Sequence, residues 1–354
     1  MLKLRRAVVR EVDDASSCAA EQQLVVELAG EPGVRRAAIA DVRLLGRAEV
    51  GDELVVNVQA IDMGLGSGGF DIVHVNLTRG LCGASADGAH VMKLNYTSLQ
   101  HAVEPVEGEQ LHLPVSRPVA VLALHGQLAA VAWAFSRAAP GRRLGYVQTE
   151  GGALPGGHSR TAAELRERGL LEKHLTAGAA FGGEGEAITT VGALHHGLRE
   201  LGWDAAVCGP GPGIVGSSSS LGHGGMYALD SAHAALALGC PTVLVARMSS
   251  GDERARHRGL SHHSRTVLEL LLAPVTVALP AGMEALPPAR TERHDWRSAA
   301  VDLAAFACAG LPAATMGREL FEDELFFAAA LAGGAILAQV TEQARAGEDA
   351  LPRR

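Results

Sequence analysis

The sequence predicts a two-domain α/β protein. A small antiparallel β module, barrel or sandwich, occupies residues 1–113, and a Rossmann-like, doubly wound parallel-sheet domain follows at 114–341, with a frayed tail at 342–354. Three observations carry this. The chain of 354 residues exceeds the ~100–200 residues of one average domain. Before residue 113 the apolar runs are short, alternating and separated by turn residues, the pattern of antiparallel strands. After Pro118 fully apolar runs of strand length alternate with helical patterns, the signature of a parallel sheet covered on both faces.

In the first module Ala7–Val12, Gln23–Leu28, Leu54–Ala60, Phe70–Leu77 and Val91–Tyr96 read as strands. Asp62–Gly69 and Arg79–Gly88 read as glycine-rich loops, and Glu104–Ser116, with Pro105 and Pro114, as the linker. In the second domain the expected strands are Val119–Leu124, Leu144–Gln148, Asp204–Cys208, Thr242–Ala246 and Val275–Leu279. The expected helices are Gln127–Arg137, Ser159–Arg168, Ile188–Leu201, Met226–Leu238, His262–Leu272, Ala299–Ala309 and Asp323–Ala338. Residues 281–298 read as irregular, Met316-Gly317-Arg318 as a turn, and Ser159 as a helix N-cap.

Composition excludes several classes. A net charge of −8 and 47 % hydrophobic content fit a globular chain without the cationic field that nucleic acid or an anionic membrane requires. The first 112 residues hold ten basic against sixteen acidic side chains, and only Phe70 and Tyr96 could stack on bases. No secretory leader is expected after Met1, and the apolar run Leu325–Val340 is shorter than the ~20 residues of a membrane span. Five scattered cysteines without CxxC spacing fit neither a disulfide framework nor a cysteine zinc site, so a reducing cytoplasm is expected.

The density of ionisable groups peaks at Arg247–Leu268, which packs five arginines, three histidines and Asp252 between an apolar strand and an apolar helix. In a parallel sheet, loops at the carboxyl ends of the strands meet over one edge. His125-Gly126, Thr149–Gly152, Gly209–Gly225, Arg247–His263 and Met316–Arg318 are therefore expected to converge. Gly211, Gly213 and Gly216, with Ser217 and Ser218, would let backbone and hydroxyls approach an anion. Arg247, Arg254 and Arg256 would clamp it, unless Asp252 and Glu253 take the guanidiniums instead. Asp252, His257, His262 and His263 are the candidate catalytic groups, with Asp252 and His257 as orienter and base. Ser261 would cap the helix carrying His262 and His263, whose dipole keeps both rings neutral. His257, His262 and His263, with His223 nearby, are candidate ligands of a divalent metal, although adjacent helical histidines diverge by ~100°. Gly211-x-Gly213-x-x-Gly216 formally matches a dinucleotide fingerprint, but it follows a late strand and contains Pro212. His195-His196 reads as helix surface, and His125 as a further candidate at the end of the first sheet strand.

The runs Asp62–Gly66, Met92–Leu94, Gly209–Gly216, Arg247-x-Ser249, Asp252-x-Arg254-x-Arg256–His263 and Met316–Arg318 resemble those of the bacterial family catalogued as domain of unknown function 3866. The resemblance spans nearly the whole chain and is most specific at Arg256–His263. Ser217–Ser220 stands where the family pattern alternates threonine and glycine. The resemblance supports the segmentation and the choice of site and implies no reaction. The function expected is that of a cytosolic hydrolase or group transferase acting on an anionic, phosphorylated or nucleotide-like small molecule, in a chain that could form a homo-oligomer. The alternatives are a non-catalytic ligand-sensing module and a nicotinamide-dependent oxidoreductase.

Overall fold

A computed structural model describes residues 2–13, 20–64, 68–80, 88–153, 155–283 and 288–349. The central parts of both expected glycine loops, residues 65–67 and 81–87, lie outside the described residues, as do Cys18 and Cys82. The chain divides into two compact units, Met1–Glu104 and Pro105–Arg354.

The first unit is a closed barrel of five strands, β1 (Leu4–Asp13), β2 (Glu21–Leu28), β3 (Arg35–Asp41), β4 (Glu53–Asn57) and β5 (Asp71–Asn76), in the order β1-β2-β3-β5-β4. Pairing is antiparallel except between β3 and β5, which run parallel. Alternating side chains from all five strands, among them Val9, Leu24, Val26, Ala38, Leu54, Val56 and Val73, fill its core. A barrel has no free edges, which removes the aggregation hazard of short strands. β3 was not foreseen, because Arg35 and Arg36 mask the start of an apolar run. Residues from Gln59 to Asp62 are helical, where the expected strand ran on to Ala60. A separate hairpin pairs β6 (Val91–Lys93) with β7 (His101–Val103).

The second unit holds eight parallel strands. They are β8 (Val119–Leu122), β9 (Leu144–Thr149), β10 (His174–Ala177), β11 (Gly185–Ala187), β12 (Ala205–Pro210), β13 (Thr242–Val245), and, beyond a hairpin of β14 (Met248–Ser249) and β15 (Gly259–Leu260), β16 (Thr276–Pro280) and β17 (Asp295–Ala299). The sheet order is β11-β10-β9-β12-β8-β13-β16-β17. A further hairpin, Ala314–Thr315 with Arg318–Glu319, contains the expected turn at Met316. Two apolar cores, one per face, make the fold doubly wound. One face carries α1 (Leu128–Ala138), α2 (Arg160–Glu167), and the later helices Leu303–Cys308 and Glu324–Asp349. The other carries Thr190–His195, Tyr227–Ala237 and His262–Leu270. Because β8 sends its chain to one face and its neighbours β12 and β13 send theirs to the other, the crevice between their carboxyl ends is the switch point where open sheets bind ligands.

Several expectations are corrected here. The segment 105–113 belongs to the second unit: Pro105 bridges Glu186, and the Glu107 carboxylate accepts the N–H groups of Ile188 and Thr189 at 2.7 and 3.0 Å. Strands β10, β11 and β17 occupy stretches without strand pattern in the sequence. The expected helix Ile188–Leu201 is α-helical only to His195 and then widens to a π-turn. His195 is buried and accepts the His112 N–H at 3.1 Å, so it is not helix surface. The helix expected at Ala299 starts at Leu303, where Asp302 caps it by accepting Ala305 N–H. The last helix continues to Asp349 in place of a frayed tail, pinned by Arg142–Glu342 and Arg345–Asp204. It is long and apolar enough to cross a membrane, yet 78 % of its apolar window is buried in the protein. A side chain at its Gly334 would approach the Val131 carbonyl to 2.2 Å, so the close packing of this helix on α1 demands glycine there.

Candidate functional site

The loops expected to meet do meet. Gly152 bridges Ile214, which ties the β9 loop to the β12 loop, and Gly216 bridges His223 within the latter. His223 then stacks on His263, ring centroids 3.4 Å apart, joining the β12 loop to the β13 loop. The Asp323 carboxylate accepts from Ser249 Oγ at 2.7 Å and from the N–H groups of Ser250 and Gly251, bringing in the segment after the last hairpin. Gln127, fully buried, donates to the carbonyls of Val245 and Ala246 and accepts from the N–H groups of Ala123 and Leu124, stapling β8 to β13.

Local chemistry explains the loop after β13. Ser249 and Met248 pair with Gly259 and Leu260, which closes residues 250–258 into a knot, and Ser261 N–H returns to the Arg247 carbonyl at 2.9 Å. Ser261 then caps the helix His262–Leu270 by accepting His263 N–H, as the sequence indicated. Inside the knot the buried Asp252 carboxylate receives Arg254 through Nε at 2.9 Å and Nη2 at 2.8 Å, its N–H at 3.0 Å, and lies 3.5 Å from both Arg247 and Arg318. Arg254 above all holds it well below the usual carboxylate range. Burial alone would raise Asp323, but Ser249, the N–H groups of Gly251 and Ser250, and Arg318 bring it down. Three guanidiniums against two carboxylates leave the knot one positive charge in excess. Asp252 is thus committed to arginines, and the expected pairing with His257 gives way: His257 Nδ1 bonds Ser261 Oγ at 2.8 Å instead. Glu253, Arg256 and Arg258 are exposed.

The histidines gather beside this knot. His223, His262 and His263 offer ring nitrogens within 4.8 Å of one another, and His257 lies 4.8 Å by ring centroid from both His262 and His263. Tautomers follow from the partners. His223 Nε2 faces the Ser220 carbonyl at 3.0 Å and must donate, so its Nδ1 carries a lone pair, buried and without a partner. His263 Nδ1 faces Arg247 Nη1 at 2.8 Å and must accept, so it too presents a lone pair. His262 Nε2 is buried and unpartnered. A side chain at Gly225 would come within 3.0 Å of His223 Nδ1 and 3.2 Å of His263 Nδ1, so glycine keeps the space between them open. Burial first, then the Arg247 charge, pushes His263 down to about 2 and His257 down to about 4; burial also lowers His223 and His262. All four rings are neutral at pH 7, the state that binds metals. The adjacent His262 and His263 rings are tilted by 64° with centroids 4.4 Å apart, and His223, arriving from another loop, stands against both.

The glycine-serine loop behaves differently from the expectation. Ser217 Oγ donates to the Gly222 carbonyl and accepts Ser219 N–H, while Ser219 Oγ accepts the N–H groups of Leu221 and Gly222. These hydroxyls stabilise the loop's own turn, and Ser218 is exposed beside them. Gly213 has φ +83°, but Gly216 enters a bridge and opens no helix, so Gly211, Gly213 and Gly216 lack the strand-turn-helix geometry of a dinucleotide fingerprint. Asp323, Ser249 and Ser264, which accepts Arg247 N–H at 2.7 Å, were missed as site residues. The acidic triplet Glu322–Glu324 ahead of an apolar helix was the available signal.

A family model described as Protein of unknown function (DUF3866) matches residues 37–334, well over half the chain. No curated protein and no solved structure matches.

Proposed function

The chain belongs to the family described as Protein of unknown function (DUF3866), and we propose that it is a metal-dependent hydrolase or group transferase for an anionic, phosphorylated or nucleotide-like small molecule bound at the carboxyl edge of its parallel sheet. One observation carries the reading: three neutral imidazoles, His223, His262 and His263, direct nitrogens into one space, two of them buried without a partner. Buried polar groups without partners are rare and call for an explanation. Imidazole nitrogen suits a borderline ion such as zinc. A bound ion of this kind supplies a hydroxide near neutral pH.

The residues around it have matching tasks. His223, His262 and His263 would hold the ion, His263 through the Nδ1 lone pair to which Arg247 now donates, and Arg247 would then be free to bind an anionic group beside it. His257, neutral and one ring away, accepts a proton. The excess positive charge of the Asp252–Asp323 knot attracts the anion, and exposed Arg256 guides it in. The net charge of the chain speaks against nucleic acid or a membrane as partner. Free thiols at Cys208, Cys240 and Cys308 support work in a reducing cytoplasm. The nicotinamide alternative gains no support from the loop at Gly216.

The test is titration of the metal-stripped protein with zinc and with cobalt, followed by assay against phosphomonoesters and phosphodiesters. One equivalent bound, a cobalt spectrum of nitrogen ligation, and loss of both in His223→Ala and His262→Ala are expected, with turnover dependent on the metal. Binding of metal and phosphate without turnover of any ester moves the protein to the ligand-sensing reading. No binding of metal refutes the proposal.

A further inference from the structure

A second cluster lies at the same sheet edge and uses none of the residues of the histidine cluster or of the Asp252–Asp323 knot. Ser159, buried, ends the loop after β9 and caps α2, where its Oγ accepts Ala162 N–H at 3.1 Å. The same oxygen lies 2.9 Å from His125 Nε2, at the end of β8. His125 Nδ1 in turn lies 3.2 Å from the hydroxyl of the fully buried Tyr146, whose oxygen is 3.1 Å from the Pro210 carbonyl and 3.4 Å from that of Gly209.

The directions of these bonds are determined. Two carbonyls facing the Tyr146 oxygen require it to donate to them, so only its lone pair remains for His125, and Nδ1 carries the imidazole proton. Nε2 is then the basic nitrogen. Ser159 Oγ has spent one lone pair on Ala162, and its own proton points at Nε2. Burial pushes His125 down to about 4, so the ring is unprotonated at neutral pH. A hydroxyl, a base holding its proton and a third group fixing the base's tautomer are the parts of an activated nucleophile. The hydroxyl also sits at the amino end of an eight-residue helix, whose dipole favours negative charge on the oxygen.

We propose that Ser159 is a nucleophile, with His125 as its general base and Tyr146 as a positioning residue, and that it takes the acyl group of an ester. In the step, Ser159 Oγ forms a bond to the acyl carbon and passes its proton to His125 Nε2. The ester C–O bond breaks, and His125 returns the proton to the departing alcohol. Water then bonds to the acyl carbon as it gives a proton to His125 Nε2, the Ser159 Oγ–acyl bond breaks, and His125 returns that proton to Ser159 Oγ, releasing the acid and regenerating both residues.

The experiment is reaction of the full chain with a fluorophosphonate probe, the labelled residue being located by peptide mass mapping and the rate followed with and without metal. Expected is a single label on Ser159, formed equally in metal-stripped protein, so that this result and the metal titration fail or succeed separately. In His125→Ala the rate falls by at least ~100-fold. In Tyr146→Phe the limiting rate falls about tenfold while the half-saturating probe concentration is unchanged, which a packing defect alone does not produce. Ser159→Ala removes the label. Ser159→Gly, which keeps a tolerable cap, removes it in a helix that stays folded. No label, a label on another serine, an undiminished rate in His125→Ala, or an unchanged limiting rate in Tyr146→Phe overturns the proposal.

Discussion

Around Asp252 and Asp323 no buried side-chain nitrogen or oxygen lacks a partner, whereas in the neighbouring histidine cluster His223 Nδ1 and His262 Nε2 are both left open. The two regions share a loop, a helix and Arg247, and they are built on opposite terms. In the knot, three arginines, two carboxylates and a set of backbone N–H groups satisfy one another, which fixes the loop and leaves little free for a ligand. In the cluster, neutral rings are held by single bonds to Ser220, Ser261 and Arg247, and one nitrogen each of His223, His262 and His263 lies within 4.8 Å of the others. The lesson is that the arginines, which dominate the sequence, are mostly architecture, and that the open nitrogens on which the proposed ligand chemistry depends belong to the histidines they support.

The comparison breaks first at Asp252. Removing its carboxylate in Asp252→Ala leaves Arg247 buried without its counter-charge, and loss of one partner from a buried pair costs ~3–5 kcal/mol. Urea denaturation is expected to show a loss of that size; a loss below ~1 kcal/mol would return the knot to the list of ligand sites.

A smaller effect comes with pH. His257 and His263 titrate at about 4 and about 2 in the folded protein, against ~6.5 when unfolded. Below ~6.5 the unfolded chain therefore binds more protons, so the stability is full above that pH. It declines as pH falls, at up to ~1.4 kcal/mol per unit for each histidine. The part owed to His257 is spent near pH 4, while that of His263 continues below. Denaturation midpoints at pH 7.5, 6 and 5 should fall in order; a flat series means that the rings are not held in their neutral state. Zinc should steepen the decline, because protons and metal compete for the same nitrogens.

The smallest effect sharpens the distinction. His262→Ala deletes an unpartnered nitrogen, so the stability of the metal-free protein should change by less than ~1 kcal/mol. The increment in melting temperature that zinc gives to the unaltered chain should vanish. A large loss in the metal-free variant would place His262 with the knot, as structure.

Much of the fold was legible. Val119–Leu122, Leu144–Thr149 and Thr242–Val245 are mostly apolar and buried on every residue because both faces of a parallel sheet are covered, and Ser159 and Ser261 announced two helix starts. Strands at or near the rim were not. His174–Ala177, Gly185–Ala187 and Asp295–Ala299 are short, and they carry polar or small residues that match neither period. The final helix outran its apolar pattern because ion pairs to Arg142 and Asp204, distant in sequence, hold its charged end.

The sequence by itself determined the two-module plan, the edge of the sheet where loops collect, and the concentration of histidines and arginines after β13, since these depend on periodicity and on local caps. Only the tertiary structure decided which charges are spent. Asp252 turned to Arg254 and away from His257, the serines of the β12 loop turned inward on their own backbone, and His125 found Ser159 across 34 residues of chain. Such choices depend on which groups are buried together, because a partner is worth most where water cannot replace it.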